Sequence, residues 1–243
     1  MKEKVAIIDA LGAHGSSHHF YLFGQLEGLK NNDVNIRLYT NSQTKNPNID
    51  GVSFYQTFGN VFSSDFMIIN GVRYVLGSIR SIFHATLSRV KIFHFHIFHV
   101  NVFLLLNLLL IKLLFGKVVL TIHDVSSFAK AYNSTLTSYF VYRISDLIIT
   151  HNQFSKDEIL KIDFSLNQYI HIVPHGNYLP FINIFEDQKR SREYLGLPTG
   201  KKILLFFGMI KEVKGLDILL QSFKKLIDAN PNAILLIAGK PWK

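Results

Sequence analysis

The stretch Ile92–Asp124, IFHFHIFHVNVFLLLNLLLIKLLFGKVVLTIHD, decides the fold. It opens on a run of strand character, Ile92–Ile97, passes through the leucine-rich segment Val102–Phe115, and returns to a second β-branched run, Val118–Ile122. The apolar part of the middle segment, Phe103–Phe115, is interrupted by Asn107 and Lys112. It falls well short of the roughly 20 residues that cross a bilayer. A crossover helix between two strands is therefore the reading. Strands that are apolar on every residue, joined by a helix, imply a parallel pair buried on both faces.

The same alternation extends in both directions. Strands are expected at Val5–Asp9, Val34–Tyr39, Phe66–Asn70, Leu147–Thr150 and Ile170–Val173, and helices at Ser17–Asn31, Val72–Leu87, Ser134–Ile144 and Lys156–Ile162. Short apolar strands alternating with helices give an α/β domain with a doubly wound parallel sheet, Rossmann-like in organisation. Past Pro174 the pattern loosens. Pro180, Pro198 and the charged run 186–190 mark a linker over 179–200, with a short helix at Ser191–Leu195. A new unit then starts: strand Lys202–Phe207, a glycine-bounded loop over 208–214, helix Leu216–Ala229 stopped by Asn230-Pro231, and strand Ala233–Ala238. The expected division is 1–178, linker 179–200 and 201–243. One βαβ unit cannot cover its own sheet faces, so this second Rossmann-like domain is expected to be incomplete.

Hydrophobic residues make up 48% of the 243 and charged residues 18%, which suits a large core and excludes general disorder. The absence of cysteine excludes disulfides, thiolate nucleophiles and Cys-based metal sites. The net charge of +9 is spread along the chain rather than gathered in a basic block, and no zinc-finger or RNA-binding signature accompanies it. Phosphate-bearing or membrane-borne substrates fit that charge better than nucleic acid. Met1–Lys4 runs straight into a strand with no signal-like apolar core, so a cytoplasmic protein is expected, with possible peripheral contact to an anionic inner membrane face.

In open α/β sheets, ligands bind beyond the carboxyl ends of the strands. The first such loop, Asp9–Ser17, contains Gly12, His14 and Gly15, where glycines admit close backbone approach and a helix start supplies N–H groups. It lacks the third glycine of a dinucleotide fingerprint, and Tyr39-Thr40-Asn41 ends the second strand where an acidic residue would be needed. A nicotinamide-dependent oxidoreductase is thereby disfavoured. His123, at the end of Val118–Ile122, would stand in the crevice as a base or a hydrogen-bond partner, with Asp124 beside it. His94 and His96 share one face of their strand, but no carboxylate is near in sequence, so they are read as shaping the crevice and no metal is expected. The loop FGMIKEVKG, Phe207–Gly215, places Lys211 and Lys214 before a helix, an arrangement suited to a pyrophosphate, with Gly208 at the turn.

Taken in order, these pieces resemble a known family. They are the first loop, the HFH-bearing strand with its leucine-rich helix, VVLTIHD at 118–124, THNQFSK at 150–156, IVPHGN at 172–177, and FGMIKEVKG with the LDILLQSF helix after it. Together they are similar to the retaining GT-B glycosyltransferases of group 1, family 4. The resemblance implies transfer of a sugar from a nucleotide diphosphate donor to a carbohydrate or lipid-linked hydroxyl, with no cofactor and no obligatory metal. A role in surface polysaccharide or glycolipid synthesis would follow. It implies an acceptor-side first domain and a donor-side second one. It also assigns His123 to the reacting sugar, Gly12–Gly15 to the donor phosphates and acceptor, and Lys214 to donor phosphate. Asp124, Asn152 and His175 are further cleft candidates. The family's usual arginine after the first glycine is Met209 here, with Lys211 supplying charge instead, and the carboxylate motif that grips donor sugar and ribose is absent. The chain alone is therefore expected not to turn over. The alternative is a noncatalytic acceptor-binding fragment or a split subunit.

Overall fold

The computed structural model describes residues 2–14, 18–125, 135–178, 181 and 187–241. The chain divides into two compact units, Met1–Phe181 and Ile182–Lys243.

The first unit is a seven-stranded, wholly parallel sheet in the order β3-β2-β1-β4-β5-β6-β7. The strands are β1 Lys4–Asp9, β2 Asn35–Asn41, β3 Val52–Phe58, β4 Ile92–Ile97, β5 Lys117–Ile122, β6 Leu147–Thr150 and β7 Ile170–Ile172. The helices are α1 His18–Asn31, α2 Met67–Leu87, α3 Val102–Leu113, α4 Thr135–Ile144 and α5 Gln153–Ile162. Chain order reverses direction between β1 and β4, which makes their carboxyl ends the topological switch point.

Strand pleating distributes side chains over both faces. Val5 and Ile7 pack with Leu22, Phe23 and Leu26 of α1, while Ala6 and Ile8 join a larger cluster with α2, α3, α4 and α5. On β4 the same alternation sends Phe93, Phe95 and Ile97 into the larger cluster. His94 and His96 consequently turn to the α1 face, where both are buried. A strand that reads as merely aromatic and histidine-rich is thus sorted by period two into an apolar face and an imidazole face.

One expectation is corrected, and one strand has no counterpart among the expectations. Phe66–Asn70 is no strand: Met67 begins α2, and Phe66, Met67 and Ile68 are 70%, 84% and 82% exposed. A short apolar run cannot be separated from a helix start by composition alone. The strand that does exist there, β3, is an edge strand whose VSFYQTF residues are mostly half-buried, so it lacks the continuous apolar run that marks its neighbours. The crossover reading of the leucine-rich segment holds, since α3 connects β4 to β5, and among the described residues no helix is long and apolar enough to cross a membrane. Its solvent side stays apolar nonetheless, with Leu106 and Leu113 exposed.

The second unit contains α6 Gln188–Tyr194 and the parallel pair β8 Lys202–Phe207 and β9 Ala233–Ala238, joined through α7 Leu216–Ala229. The pair's faces are open to solvent, with Leu205 58% and Phe207 82% exposed.

Candidate functional site

Four of the first unit's histidines follow from strand register. His96 is the penultimate residue of β4, and His123 and His151 directly follow β5 and β6, whose last residues Ile122 and Thr150 are paired. His175 lies three residues past β7. Parallel pairing therefore lines imidazoles along the carboxyl edge of adjacent strands, next to the switch point. α1 adds His18, Tyr21 and Gln25 from one helical face, spaced three and four residues apart. Tyr21 sits against His123 at 5.0 Å and His175 at 4.6 Å between ring centroids.

The rings form one connected row. His96 Nε2 lies 2.9 Å from Gln25 Oε1, His96 Nδ1 lies 3.1 Å from His123 Nε2, His123 Nδ1 lies 3.3 Å from His151 Nε2, and His151 Nδ1 lies 2.9 Å from the Val173 carbonyl oxygen. Phe98 stacks on His123 at 4.6 Å. Behind the row, His94 Nε2 bonds Thr121 Oγ1 at 2.8 Å.

Burial, more than any neighbour, sets the protonation of these rings. It pushes His18 and His94 down to about 4 and His123 down to about 2, and holds His96 well below 6.5, with mutual repulsion among the imidazoles adding in the same direction except at His94. At neutral pH these four rings are uncharged. Neutral His123 is then a weak proton acceptor but a sound hydrogen-bond partner. Both of its nitrogens are engaged, and the longer 3.3 Å contact to His151 is the one a ligand hydroxyl could exchange.

The first loop is tied down internally. The Asp9 carboxylate accepts from Gly12 N at 2.9 Å and Leu11 N at 3.3 Å, Thr44 Oγ1 accepts from Ala13 N at 3.0 Å, and Asn41 Nδ2 donates to Ala10 O and Leu11 O. Its N–H groups at Leu11, Gly12 and Ala13 are thus committed within the protein. Burial raises Asp9 from 3.8 to about 6 against the lowering effect of the Gly12 and Leu11 amides. His14 is pinned away from the imidazole row, stacked on Phe62 at 4.1 Å and bonded to Gln43 Oε1 at 3.0 Å. Gly15 and Ser17, the expected start of the first helix, lie outside the described residues.

Of the other sequence candidates, Asn152 caps α5, its side chain accepting from Ser155 N at 2.8 Å. Asp124 is half-buried beside His123. His175 is exposed, and its Nδ1 donates to Gly176 O at 2.7 Å. His18, His151, Asp9 and Gln25 are site residues that are not among the sequence candidates. A histidine one step past each of two adjacent parallel strands was the available signal for His151.

Beside the row, a largely apolar groove of about 860 Å³ runs between the sheet edge and the starts of α2 and α3, with Leu11, Phe62, Met67, Val72, Phe98 and Phe103 among its walls and His96 and His99 at its side.

In the second unit, the loop after β8 folds back on the strand-end of β9. A Cβ placed on Gly239 would lie 1.9 Å from Gly208 O, so only glycine admits this approach. A single 3-10 turn, Glu212–Lys214, leads to α7, whose N-cap, Gly215, carries no side chain to occupy the helix's first N–H groups. Lys214 is exposed and Lys211 half-buried.

Residues 187–243 match the family model described as Glycosyl transferases group 1. The spore coat protein SA of Bacillus subtilis (strain 168) is 40% identical over 55 residues, covering 23% of this chain and 14% of that protein. A D-inositol 3-phosphate glycosyltransferase of Segniliparus rotundus is 29% identical over 96 residues, covering 40% of this chain and 21% of its own length. Among solved structures, Anabaena HepE in complex with UDP and glucose superposes with a TM-score of 0.67 at 13% identity, covering 99% of this chain and 62% of HepE. The chain spans less than two thirds of each of these three proteins. Residues 187–243 are thus similar in sequence to the group 1 glycosyl transferases, and the fold is GT-B-like α/β.

Proposed function

We propose that the chain serves transfer of a sugar from a nucleotide diphosphate donor to a hydroxyl acceptor, with retained configuration. The observation that carries this reading is the Gly208–Gly215 loop, which lies within the family-matched segment and brings Lys211 and Lys214 to the uncapped start of α7. Helix N–H groups and ammonium charges act together on a diphosphate and favour its departure as negative charge develops. His123 contributes a hydrogen bond to the sugar or acceptor hydroxyl, exchanged for its contact to His151, and Asp124 and His175 stand within reach of the same edge.

Donor binding is read with UDP, GDP and ADP sugars by calorimetry. Lys214→Ala is expected to weaken the preferred donor about tenfold, the worth of one charge-assisted contact. Equal affinity in that variant, or no binding of any donor, rules the loop out. In a transfer assay of a version completed with the carboxylate-bearing donor half, His123→Ala is expected to lower turnover on the order of a hundredfold. Unchanged turnover would remove it from the chemistry.

The acceptor is proposed to be lipid-linked and met at an anionic membrane surface. The apolar groove beside His96 and His99 and the exposed apolar start of α2, with Arg73 and Arg80 on that helix, support this. Co-sedimentation with anionic vesicles is expected, falling in high salt and absent for neutral vesicles; equal binding to both vesicle types contradicts it.

A further inference from the structure

Three imidazoles reach one point from three separate parts of the chain. His18 opens α1, His96 ends β4 but for one residue, and His123 follows β5, and one nitrogen from each lies within 4.8 Å of the other two. The 3.1 Å between His96 Nδ1 and His123 Nε2 is near the roughly 3.3 Å edge of a tetrahedron with metal–nitrogen bonds of about 2.0–2.1 Å. We propose that His18, His96 and His123 form a three-imidazole site for a divalent transition metal of the zinc class, with a fourth position open.

Proton counting along the row distinguishes this from a merely packed cluster. The row has four polar contacts, Gln25–His96, His96–His123, His123–His151 and His151–Val173, and each needs one proton between its two heavy atoms. Three neutral imidazoles carry one proton each, and the two ends, as oriented, are carbonyl oxygens that only accept. The row is one proton short. An ion between His96 Nδ1 and His123 Nε2 closes the count. His96 Nε2–H then donates to Gln25 Oε1, His123 Nδ1–H to His151 Nε2, and His151 Nδ1–H to Val173 O, all with neutral rings. Each of these two ligands thereby gains the second partner that fixes its tautomer and orientation.

The charge balance is consistent. The Asp9 carboxylate lies 3.8 Å from His18 Nε2 and places a negative group against the site. Imidazole nitrogens without thiolates select zinc, copper, nickel or cobalt ions over magnesium or calcium. The ion would hold His123 through Nε2 and leave Nδ1 on the side where the sugar contact is proposed, so this site goes beyond that reading and is tested without any transfer assay.

Zn²⁺ alone is titrated into the full chain by calorimetry, and Co²⁺ alone is followed by visible absorption. One equivalent and a tetrahedral cobalt spectrum are expected, with His96→Gln and His123→Gln each weakening Zn²⁺ by more than about tenfold. No stoichiometric binding, or binding undiminished in both variants, overturns the site and assigns any uptake to surface histidines. Turning the Gln25 amide would also close the count without an ion. Gln25→Glu separates the two: a carboxylate behind His96 keeps or tightens Zn²⁺ at a metal site, whereas in the ion-free row it removes the needed donor, lowers the melting temperature and yields no binding. Because it leaves all three ligands in place, Gln25→Glu decides the matter if either histidine variant fails to fold.

Discussion

The first unit is expected to lose stability steeply once the pH falls below 6.5, with a net uptake of about three protons on unfolding. His18 and His94 are held down at about 4, His123 at about 2 and His96 well below 6.5, in each case chiefly because burial disfavours the charged ring. A ring with a depressed folded value contributes stability that is present above 6.5 and is lost as the pH falls towards the folded value, because the unfolded chain binds the proton first. Asp9 works in the opposite sense. Its carboxyl is raised from 3.8 to about 6, so the fold takes up that proton before the unfolded chain does and recovers some stability between those values. Four rings against one carboxyl leave three protons in the window from about pH 6 to 4, at about 1.4 kcal/mol per proton per pH unit. The resulting slope of about 4 kcal/mol per pH unit is large against a total of about 5–15 kcal/mol for a domain. Urea midpoints from pH 8 to 4.5, taken with a chelator present, should be flat above pH 7 and collapse before about pH 4.5. His94→Leu should reduce the slope by about one proton, while costing stability at pH 7 because Thr121 Oγ1 loses its partner. A midpoint that holds steady down to pH 5 would mean the rings are not buried as described.

The architecture is legible in the sequence where strands are buried on both faces. Val5–Asp9, Ile92–Ile97, Val118–Ile122 and Leu147–Thr150 announce themselves as continuous β-branched or aromatic runs, and each is a strand within a residue of its expected bounds. The edge strand β3 carries no such run because one flank has no neighbour, and the first turn of α2 imitates a strand because its apolar side chains face outward rather than alternate. At the site, a single strand end could be read but not the convergence of several. His123 is identifiable alone; its neighbours His18, His96 and His151 come from positions 105, 27 and 28 residues away, and only sheet order and register place them together. Asp9 shows the same limit. No carboxylate stands near the HFH run in sequence, yet β1 pairs directly with β4, and Asp9 at the end of β1 lies against His18, whose ring meets His96 edge-on.

Gly12→Ala is expected to cost about 3 kcal/mol, for two reasons that add. Gly12 has φ +47°, where a β-carbon meets its own backbone. That β-carbon would also lie 1.9 Å from Thr44 Oγ1 and 2.6 Å from Thr40 Oγ1. Neither threonine can yield, since both are fully buried, bonded to each other at 3.1 Å, and Thr44 is further held by Asn41 Oδ1 at 2.9 Å. Relief must come from the loop, which would release Gly12 N from Asp9 and leave a buried carboxylate short of a donor. At about 2–4 °C per kcal/mol for a unit of this size, the melting temperature should fall by about 6–12 °C. Gly28→Ala supplies the contrast. Gly28 lies within α1 with nothing inside 4 Å of its added β-carbon, so helix propensity alone should raise stability by about 0.5–1 kcal/mol. Two identical substitutions thus carry opposite signs, and differential scanning calorimetry of both reads the difference directly. A Gly12→Ala protein as stable as the parent would show that the loop joining β1 to α1 is not locked against β2, and the close packing of the switch point, on which the placement of Asp9 against His18 depends, would have to be abandoned.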